Sequence, residues 1–137
     1  RKVTIINRTA LRGEGLASLI SGKTAAACEF LPWAPKMKVP EGTDLIINAT
    51  SIGLYPDTAA RPDIDYDTIA RRMAAADVVF NPPDTPFLKE AAARGAQAIN
   101  GLGMLANQAA VNFTLWTGLK APEARMMEAL KGEFGLA

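Results

Sequence analysis

The sequence predicts an α/β fold built on a mainly parallel sheet. Short apolar segments alternate with longer amphipathic ones along the 137 residues, in the order β-α-β-loop-β-α-β-α-β-α-α, which is typical of this fold class. The first apolar segment, Val3–Ile6, is β-branched throughout, as expected for a strand that helices cover on both faces. Glycine or proline stands between most segments, where turns are required.

The first third of the chain predicts a β-α-β unit. A helix is expected over residues 11–21, because apolar residues recur there at helical spacing: Leu11, Leu16, Leu19 and Ile20. Gly22 is expected to cap its C-terminus. A weaker strand follows at Ala26–Leu31, and three prolines then exclude regular structure from the connecting loop: Pro32, Pro35 and Pro40.

The middle of the chain predicts two further strands. The first covers Leu45–Ala49 and leads into a long loop over residues 50–62, which glycine and proline interrupt. A short helix is expected over residues 64–75, followed by the second strand at Val78–Phe80.

The last third predicts three helices and one strand. After the turn Asn81-Pro82-Pro83-Asp84, Thr85 is expected to be an N-cap with Pro86 in the first helical position. That helix is expected to end at Arg94, with Gly95 behind it. The remaining elements are a short strand at Ala96–Ile99 and helices at about 103–117 and 122–132.

Composition places the chain among ordinary globular proteins, and one domain over residues 1–137 is expected. The net charge of +1 provides no general attraction for nucleic acid or for an anionic membrane, so any anion site must be local. With one cysteine, Cys28, and no histidine, neither a zinc site nor a Ser-His or Cys-His nucleophile is expected. A single cysteine also favours a reducing, cytoplasmic location.

The end of the first predicted strand carries the first candidate site. Asn7, Arg8 and Thr9 follow the strand directly, and Arg12 lies one helical turn further on. In a dinucleotide-binding βαβ unit, an acidic residue here accepts a hydrogen bond from a free 2′-hydroxyl, whereas a basic one accommodates a 2′-phosphate. Two arginines without a carboxylate therefore favour NADP over NAD. The alternative interpretation is an ordinary solvated turn.

Two further groups have both a ligand-binding and a structural interpretation. Asn48, Ala49, Thr50 and Ser51 follow the third strand, where small polar groups suit a ribose or pyrophosphate but equally suit a hydrogen-bonded turn. Gln108 shares a helix face with apolar residues: Met104, Val111 and Leu115. Either a neighbouring element satisfies its amide, or the amide faces a cleft and binds a ligand.

Carboxylates form no recognisable acid–base pair. Asp57, Asp63, Asp65 and Asp67 lie in loops or at a helix start, where solvation or capping explains them. No catalytic residue is therefore expected within this chain.

Four motifs in order carry a family resemblance. They are Ile-Ile-Asn-Arg-Thr-x-x-Arg, Ile-Asn-Ala-Thr-Ser-x-Gly-Leu, Asn-Pro-Pro-x-Thr-Pro-Phe-Leu and Asn-Gly-Leu-Gly-Met-Leu-x-x-Gln-Ala-Ala, the last followed by Leu-Trp-Thr-Gly. From residue 2 to about residue 132 the chain resembles the C-terminal, NADP-binding half of the shikimate/quinate dehydrogenase family. The resemblance implies a Rossmann-like, doubly wound fold. It also implies an enzyme that reduces 3-dehydroshikimate to shikimate with NADPH, in aromatic amino acid biosynthesis.

The resemblance also assigns roles to individual residues. It implies that four residues hold the adenosine 2′-phosphate (Asn7, Arg8, Thr9 and Arg12), since guanidinium groups combine charge with a forked donor array. It places Ala49, Thr50 and Ser51 near the adenosine half of the cofactor. Three residues flank the nicotinamide by the same resemblance: Val78, Gly101 and Met104. Gln108 is implied to bind a substrate hydroxyl.

This sequence departs from the family in two respects. The family's first strand and glycine-rich phosphate loop should precede Arg1 and are absent, as are the lysine and aspartate that transfer protons from the substrate domain. We expect the intact protein to extend N-terminally by that domain, and the piece alone to expose apolar strand edges prone to association.

The second departure concerns a residue expected to contact the substrate. Phe80 stands where family members often place a tyrosine that contacts the substrate carboxylate. Two alternative substrates therefore remain open: quinate and an amino analogue of shikimate. A third alternative is a dinucleotide-binding module without catalytic activity. The expected partners are a small-molecule substrate and a second copy of the chain in a homodimer, with neither nucleic acid nor membrane.

Overall fold

Parallel strand pairs form the larger sheets of this protein, in a computed structural model that describes residues 1–136. The predicted α/β class with a mainly parallel, Rossmann-like arrangement is confirmed. The chain divides into two compact units, Arg1–Met37 and Lys38–Ala137. That the whole chain forms one domain stays a prediction. No helix among residues 1–136 is long and apolar enough to cross a membrane.

The first unit is the predicted β-α-β unit. Strand β1 (Lys2–Asn7) pairs in parallel with β2 (Ala27–Pro32), and helix α1 (Ala10–Lys23) connects them. The helix packs closely because Gly13 has no side chain: a Cβ there would overlap the ring of Phe30 on β2. Gly22 is not the cap that its position predicted. The helix continues to Lys23, where the extended residue Thr24 ends it and donates its hydroxyl to the carbonyl of Ile20 at 2.8 Å.

The second unit is built on a three-stranded parallel sheet. After the two-residue strand β3 (Met37–Lys38), which pairs with β5 (Ile64–Asp65), the sheet contains β4 (Leu45–Asn48), β6 (Ala74–Asp77) and β7 (Gln97–Ile99) in the order β4-β6-β7. Helix α2 (Pro86–Ala93) follows β6, and α3 (Leu102–Thr117) follows β7. The last helix, α4 (Glu123–Glu133), follows α3.

Three predictions for the middle of the chain are wrong. The prolines do not exclude regular structure from the connecting loop, because β2 ends at Pro32 and β3 covers Met37–Lys38. Residues 64–75 are not a helix but β5, a 3₁₀ turn at Tyr66–Thr68, a loop and the start of β6. The strand predicted at Val78–Phe80 lies earlier, at Ala74–Asp77. Three consecutive alanines at 74–76 have high helix propensity, but pairing with β4 on one side and β7 on the other overrides it.

The start of α2 follows its capping signal. The Thr85 hydroxyl accepts a hydrogen bond from the backbone N–H of Leu88, and Pro86 occupies the first helical position. Gly95 behind the helix has a φ of +84°, a left-handed conformation that favours glycine. The sequence signal at this helix is therefore confirmed at both ends.

The core of the second unit surrounds Tyr66 and Phe87. Both are buried, and their ring centroids lie 6.4 Å apart. The guanidinium of Arg61 lies 4.9 Å from the Tyr66 ring centroid and that of Arg94 lies 5.7 Å from it, and both arginines pair with Glu90. The Tyr66 hydroxyl donates to the Pro62 carbonyl at 3.0 Å. Burial raises the pKa of Tyr66 to about 12.

One face of the three-stranded sheet stays open. Leu45, Ile47 and Ile99 are about half exposed, and the register Ile47–Ala76–Ile99 places them on the same face. Within the described residues β4 pairs only with β6, and β1 only with β2. Doubly wound sheets are normally covered on both faces, whereas this apolar face is uncovered within the described residues.

Tyr66 makes the free energy of unfolding depend on pH in the alkaline range. The folded state holds its phenolic proton more tightly than the unfolded chain, whose tyrosine pKa is about 10. The stabilisation is therefore complete below about pH 10 and falls as the pH rises towards about 12. Urea unfolding across this range should show a shallower alkaline loss in Tyr66→Phe than in the wild type. Equal slopes in the two proteins would contradict a raised pKa at this site.

Candidate functional site

The carboxyl ends of β4, β6 and β7 lie at one edge of the sheet, because the three strands are parallel and adjacent. Ligands bind at this edge in open α/β sheets. The structure brings most of the predicted site residues of the second unit here: Ala49, Thr50 and Ser51 after β4, Val78 and Phe80 after β6, and Gly101 after β7. Met104 and Gln108 follow on α3.

A buried hydrogen-bond network joins the ends of β4 and β6. Asn48 and Asp77, the last residues of these strands, are 4% and 3% exposed. The Asn48 amide nitrogen donates to Asp77 Oδ1 at 3.0 Å. Asp77 also accepts from the Val79 N–H at 2.9 Å and from the Thr85 hydroxyl at 2.6 Å. The network connects both strand ends to the N-cap of α2.

The loop after β4 is a hydrogen-bonded turn. Thr50 donates its hydroxyl to Asn48 Oδ1 at 2.7 Å and accepts from the Ile52 N–H at 3.1 Å. The structural interpretation of this motif is therefore confirmed for Asn48 and Thr50. Because the Thr50 proton is already donated, this hydroxyl can meet a ligand only as an acceptor. Ala49 and Ser51 are exposed, so the loop presents small groups to the surface.

Close backbone packing shapes the neighbouring turns. The Val78 N–H donates to the Asn48 carbonyl at 3.1 Å, which continues the β4–β6 ladder past the last paired residues. Gly101 is buried against the turn after β6, where a Cβ would lie 2.7 Å from the Val79 carbonyl oxygen. Phe80 is half-buried and Met104 is 45% exposed. The predicted site residues in the turns after β6 and β7 are therefore apolar or small.

Gln108 lies on the open side of α3. The buried face of this helix consists of Leu102, Ala106 and Ala110, whereas the predicted apolar stripe is exposed, with Val111 at 59% and Leu115 at 75%. Among the described residues no group bonds to the Gln108 side chain, so no neighbouring element satisfies its amide. A role in ligand binding stays a prediction for this residue.

The four residues predicted to bind a phosphate lie where β1 leads into α1. Asn7 accepts from the Thr9 N–H at 2.9 Å, which fixes the turn. Thr9 is the N-cap but makes no side-chain cap bond, and no acidic residue stands in the first helical turn. Arg8 and Arg12 are exposed. A helix N-terminus with free N–H groups and two guanidinium groups is suited to an anion.

Asp77 is the site residue that sequence analysis missed. Its buried carboxyl organises the edge of the sheet, yet placing the strand at Val78–Phe80 made Asp77 look like a loop residue before it. In the structure, buried and half-buried positions alternate from Met73 to Phe80, which places position 77 inward at the end of a strand. The sequence carries no matching alternation of polar and apolar residues, so it gave no signal for Asp77.

Several known proteins are similar to this chain in sequence and in fold. A family model described as the C-terminal domain of shikimate 5′-dehydrogenase matches residues 101–131. The shikimate dehydrogenase (NADP(+)) of Methanococcus aeolicus is 39% identical over 126 residues, which make up 92% of this chain and 45% of that protein.

Two solved structures are also similar. The ligand-free 5-ketofructose reductase of Gluconobacter sp. strain CHM43 is 42% identical with a TM-score of 0.86, over 97% of this chain and 48% of that one. A shikimate dehydrogenase in complex with NADP+ is 35% identical with a TM-score of 0.85, over 97% and 47% of the two chains. This chain spans about half the length of the relatives it matches.

Gly101→Ala tests the close packing at this edge. The added Cβ would press on the Val79 carbonyl, and we expect a loss of about 1–3 kcal/mol in the free energy of unfolding. Gly103→Ala is the matched control, because a Cβ there meets nothing within 4 Å. The control should leave stability unchanged or raise it by up to about 1 kcal/mol. Denaturant unfolding of the two variants decides the matter, and equal stabilities would argue against the close contact.

Proposed function

Because this chain belongs to the shikimate dehydrogenase family, whose C-terminal domain it matches, we propose that it is the NADP(H)-binding part of a shikimate dehydrogenase. The reaction is reversible hydride transfer between NADPH and 3-dehydroshikimate. This assignment concerns the whole protein, of which the chain supplies the cofactor site and one side of the substrate site.

The turn from β1 into α1 is the observation that carries the proposal. Arg8 and Arg12 place two exposed guanidinium groups beside a helix N-terminus without a competing carboxylate. Such a site attracts a dianionic phosphate more strongly than a neutral hydroxyl. Asn7 and Thr9 set the geometry of the turn. We therefore assign the 2′-phosphate of NADP to these four residues.

The edge of the β4–β6–β7 sheet is assigned to the rest of the cofactor. Ala49, Thr50 and Ser51 line its adenosine half. The bound nicotinamide supplies the hydride, and Val78, Gly101 and Met104 flank it. These apolar and small groups exclude water and orient the planar ring, and none of them carries a charge that would interact with it.

The substrate is assigned to Gln108 and Phe80. Gln108 is exposed and without a partner among the described residues, so its amide is available to a substrate hydroxyl. The described residues at this edge contain no acid–base pair, since Asp77 is buried in the hydrogen-bond network. We assign proton transfer to residues outside this chain. We further propose a cytoplasmic enzyme that acts on a small molecule and forms a homodimer.

A neutral keto sugar is a second candidate substrate. The 5-ketofructose reductase structure is 42% identical to this chain, whereas the shikimate dehydrogenase structure is 35% identical. Phe80 offers a substrate carboxylate no hydroxyl, and the predicted site residues at this edge carry no charged side chain. A polyhydroxylated ketone without a carboxylate suits such a surface.

A substrate panel tests the reaction. Full-length protein should oxidise shikimate with NADP+, and its rates are compared with those for quinate and aminoshikimate. Reduction of 5-ketofructose with NADPH is measured alongside. Turnover of shikimate supports the first candidate, and turnover of 5-ketofructose alone supports the second. Nucleotide binding without turnover of any of the four would favour a non-catalytic binding module.

Arg8→Asp tests the cofactor assignment. The carboxylate repels a 2′-phosphate and accepts from a free 2′-hydroxyl, so the preference for NADP over NAD should fall by at least about tenfold, the equivalent of one lost charge-assisted hydrogen bond. The ratio of kcat/KM for the two cofactors measures it. Arg125→Asp, an exposed change on α4, is the control for net charge and should leave the ratio unchanged. An unaltered ratio in Arg8→Asp would refute the assignment.

A further inference from the structure

We infer that Asp77 is a positioning residue for the cofactor, acting through the loops after β4 and β6. This inference rests on the proposed function, because it concerns the same edge of the sheet. Asp77 touches no exposed surface at which a ligand would bind. Its effect reaches the site through the groups that it holds.

Asp77 is surrounded by donors. Its Oδ1 accepts from the Asn48 amide and from the Val79 N–H, and its Oδ2 accepts from the Thr85 hydroxyl. No ion pair of Asp77 occurs in the described part of the chain. A carboxylate is the side chain of this size that accepts on both sides and donates on neither. An amide would set its own N–H₂ against one of these donors.

Each donor belongs to a different part of the site. Asn48 holds Thr50 and also donates to the Ile52 carbonyl at 3.2 Å, so it determines the path of the loop with Ala49 and Ser51. The Val79 N–H fixes the turn that carries Val78 and Phe80.

The remaining contacts extend the effect to β7 and α2. The Val79 carbonyl is the group against which Gly101 packs. Thr85 begins α2 and is 1% exposed. A shift of the carboxyl group therefore moves the loops assigned to both halves of the cofactor, because a packed interior transmits displacement.

The 2′-phosphate site provides an internal reference. Its residues lie in the first unit, on β1 and α1, and none bonds to Asp77. Inorganic phosphate probes this site without the adenosine that is assigned to the loop after β4. A positioning role at the sheet edge therefore weakens NADPH binding selectively, whereas general unfolding weakens both ligands.

The test is Asp77→Asn in the full-length protein, with NADPH and inorganic phosphate titrated separately by calorimetry. We expect the Kd for NADPH to rise about tenfold, the equivalent of one lost hydrogen bond to a charged group. The Kd for phosphate should stay within about twofold, well below the effect of one such bond. Asp63→Asn, an exposed aspartate outside the network, is the matched control and should bind both ligands as the wild type does.

Thr85 provides a second pair of variants. Thr85→Ser keeps the hydroxyl that donates to Asp77 and should bind NADPH as the wild type does. Thr85→Val removes it and should weaken NADPH selectively. This pair decides the matter if Asp77→Asn does not fold.

The outcomes separate this inference from the function it rests on. A wild-type protein that binds no NADPH overturns the proposed function and this inference together. A wild type that binds NADPH, with Asp77→Asn binding it equally well, overturns only the role of Asp77. Parallel losses of NADPH and phosphate binding in Asp77→Asn and Thr85→Val would also overturn it, since they would show a general structural role.

Discussion

The buried hydrogen bonds of Asp77 are the interaction on which the arrangement of the sheet edge depends. A carboxyl group that is 3% exposed gives up its contact with water, and only a full set of donors compensates for that loss. Asn48, Val79 and Thr85 supply them from three separate segments. The same bonds therefore satisfy the carboxyl group and hold the segments together.

The two proposed parts of the cofactor site differ in charge. Two exposed guanidinium groups, those of Arg8 and Arg12, stand in the first unit beside a helix N-terminus, which suits an anion. The polar groups at the ends of β4 and β6 face inward, so their outer surface is small or apolar. The proposed cofactor needs both kinds of surface, since it combines phosphates with an aromatic ring. A net charge of +1 is compatible with binding an anionic cofactor, because the attraction comes from these local charges.

Prediction from sequence succeeded where the signal is local. The β-branched residues of β1 and the Thr85-Pro86 start of α2 place elements by their own chemistry. It failed between residues 64 and 80, since alanines 74–76 carry little strand character and only their neighbours β4 and β7 make them a strand. The misplaced strand concealed Asp77. On α3 the periodicity was correct, but the face that it singled out is exposed.

By itself, the sequence determined the parallel α/β class, the basic turn after β1 and the family, because these depend on local composition and on motifs that stay together along the chain. Only the tertiary structure decided that Asn48, Asp77 and Thr85 form one network, since up to 37 positions separate them and strand register brings them together. It also decided that the Thr50 hydroxyl donates to Asn48 and that Gln108 is accessible. The partner of a polar group depends on what folds against it, and no local pattern records that.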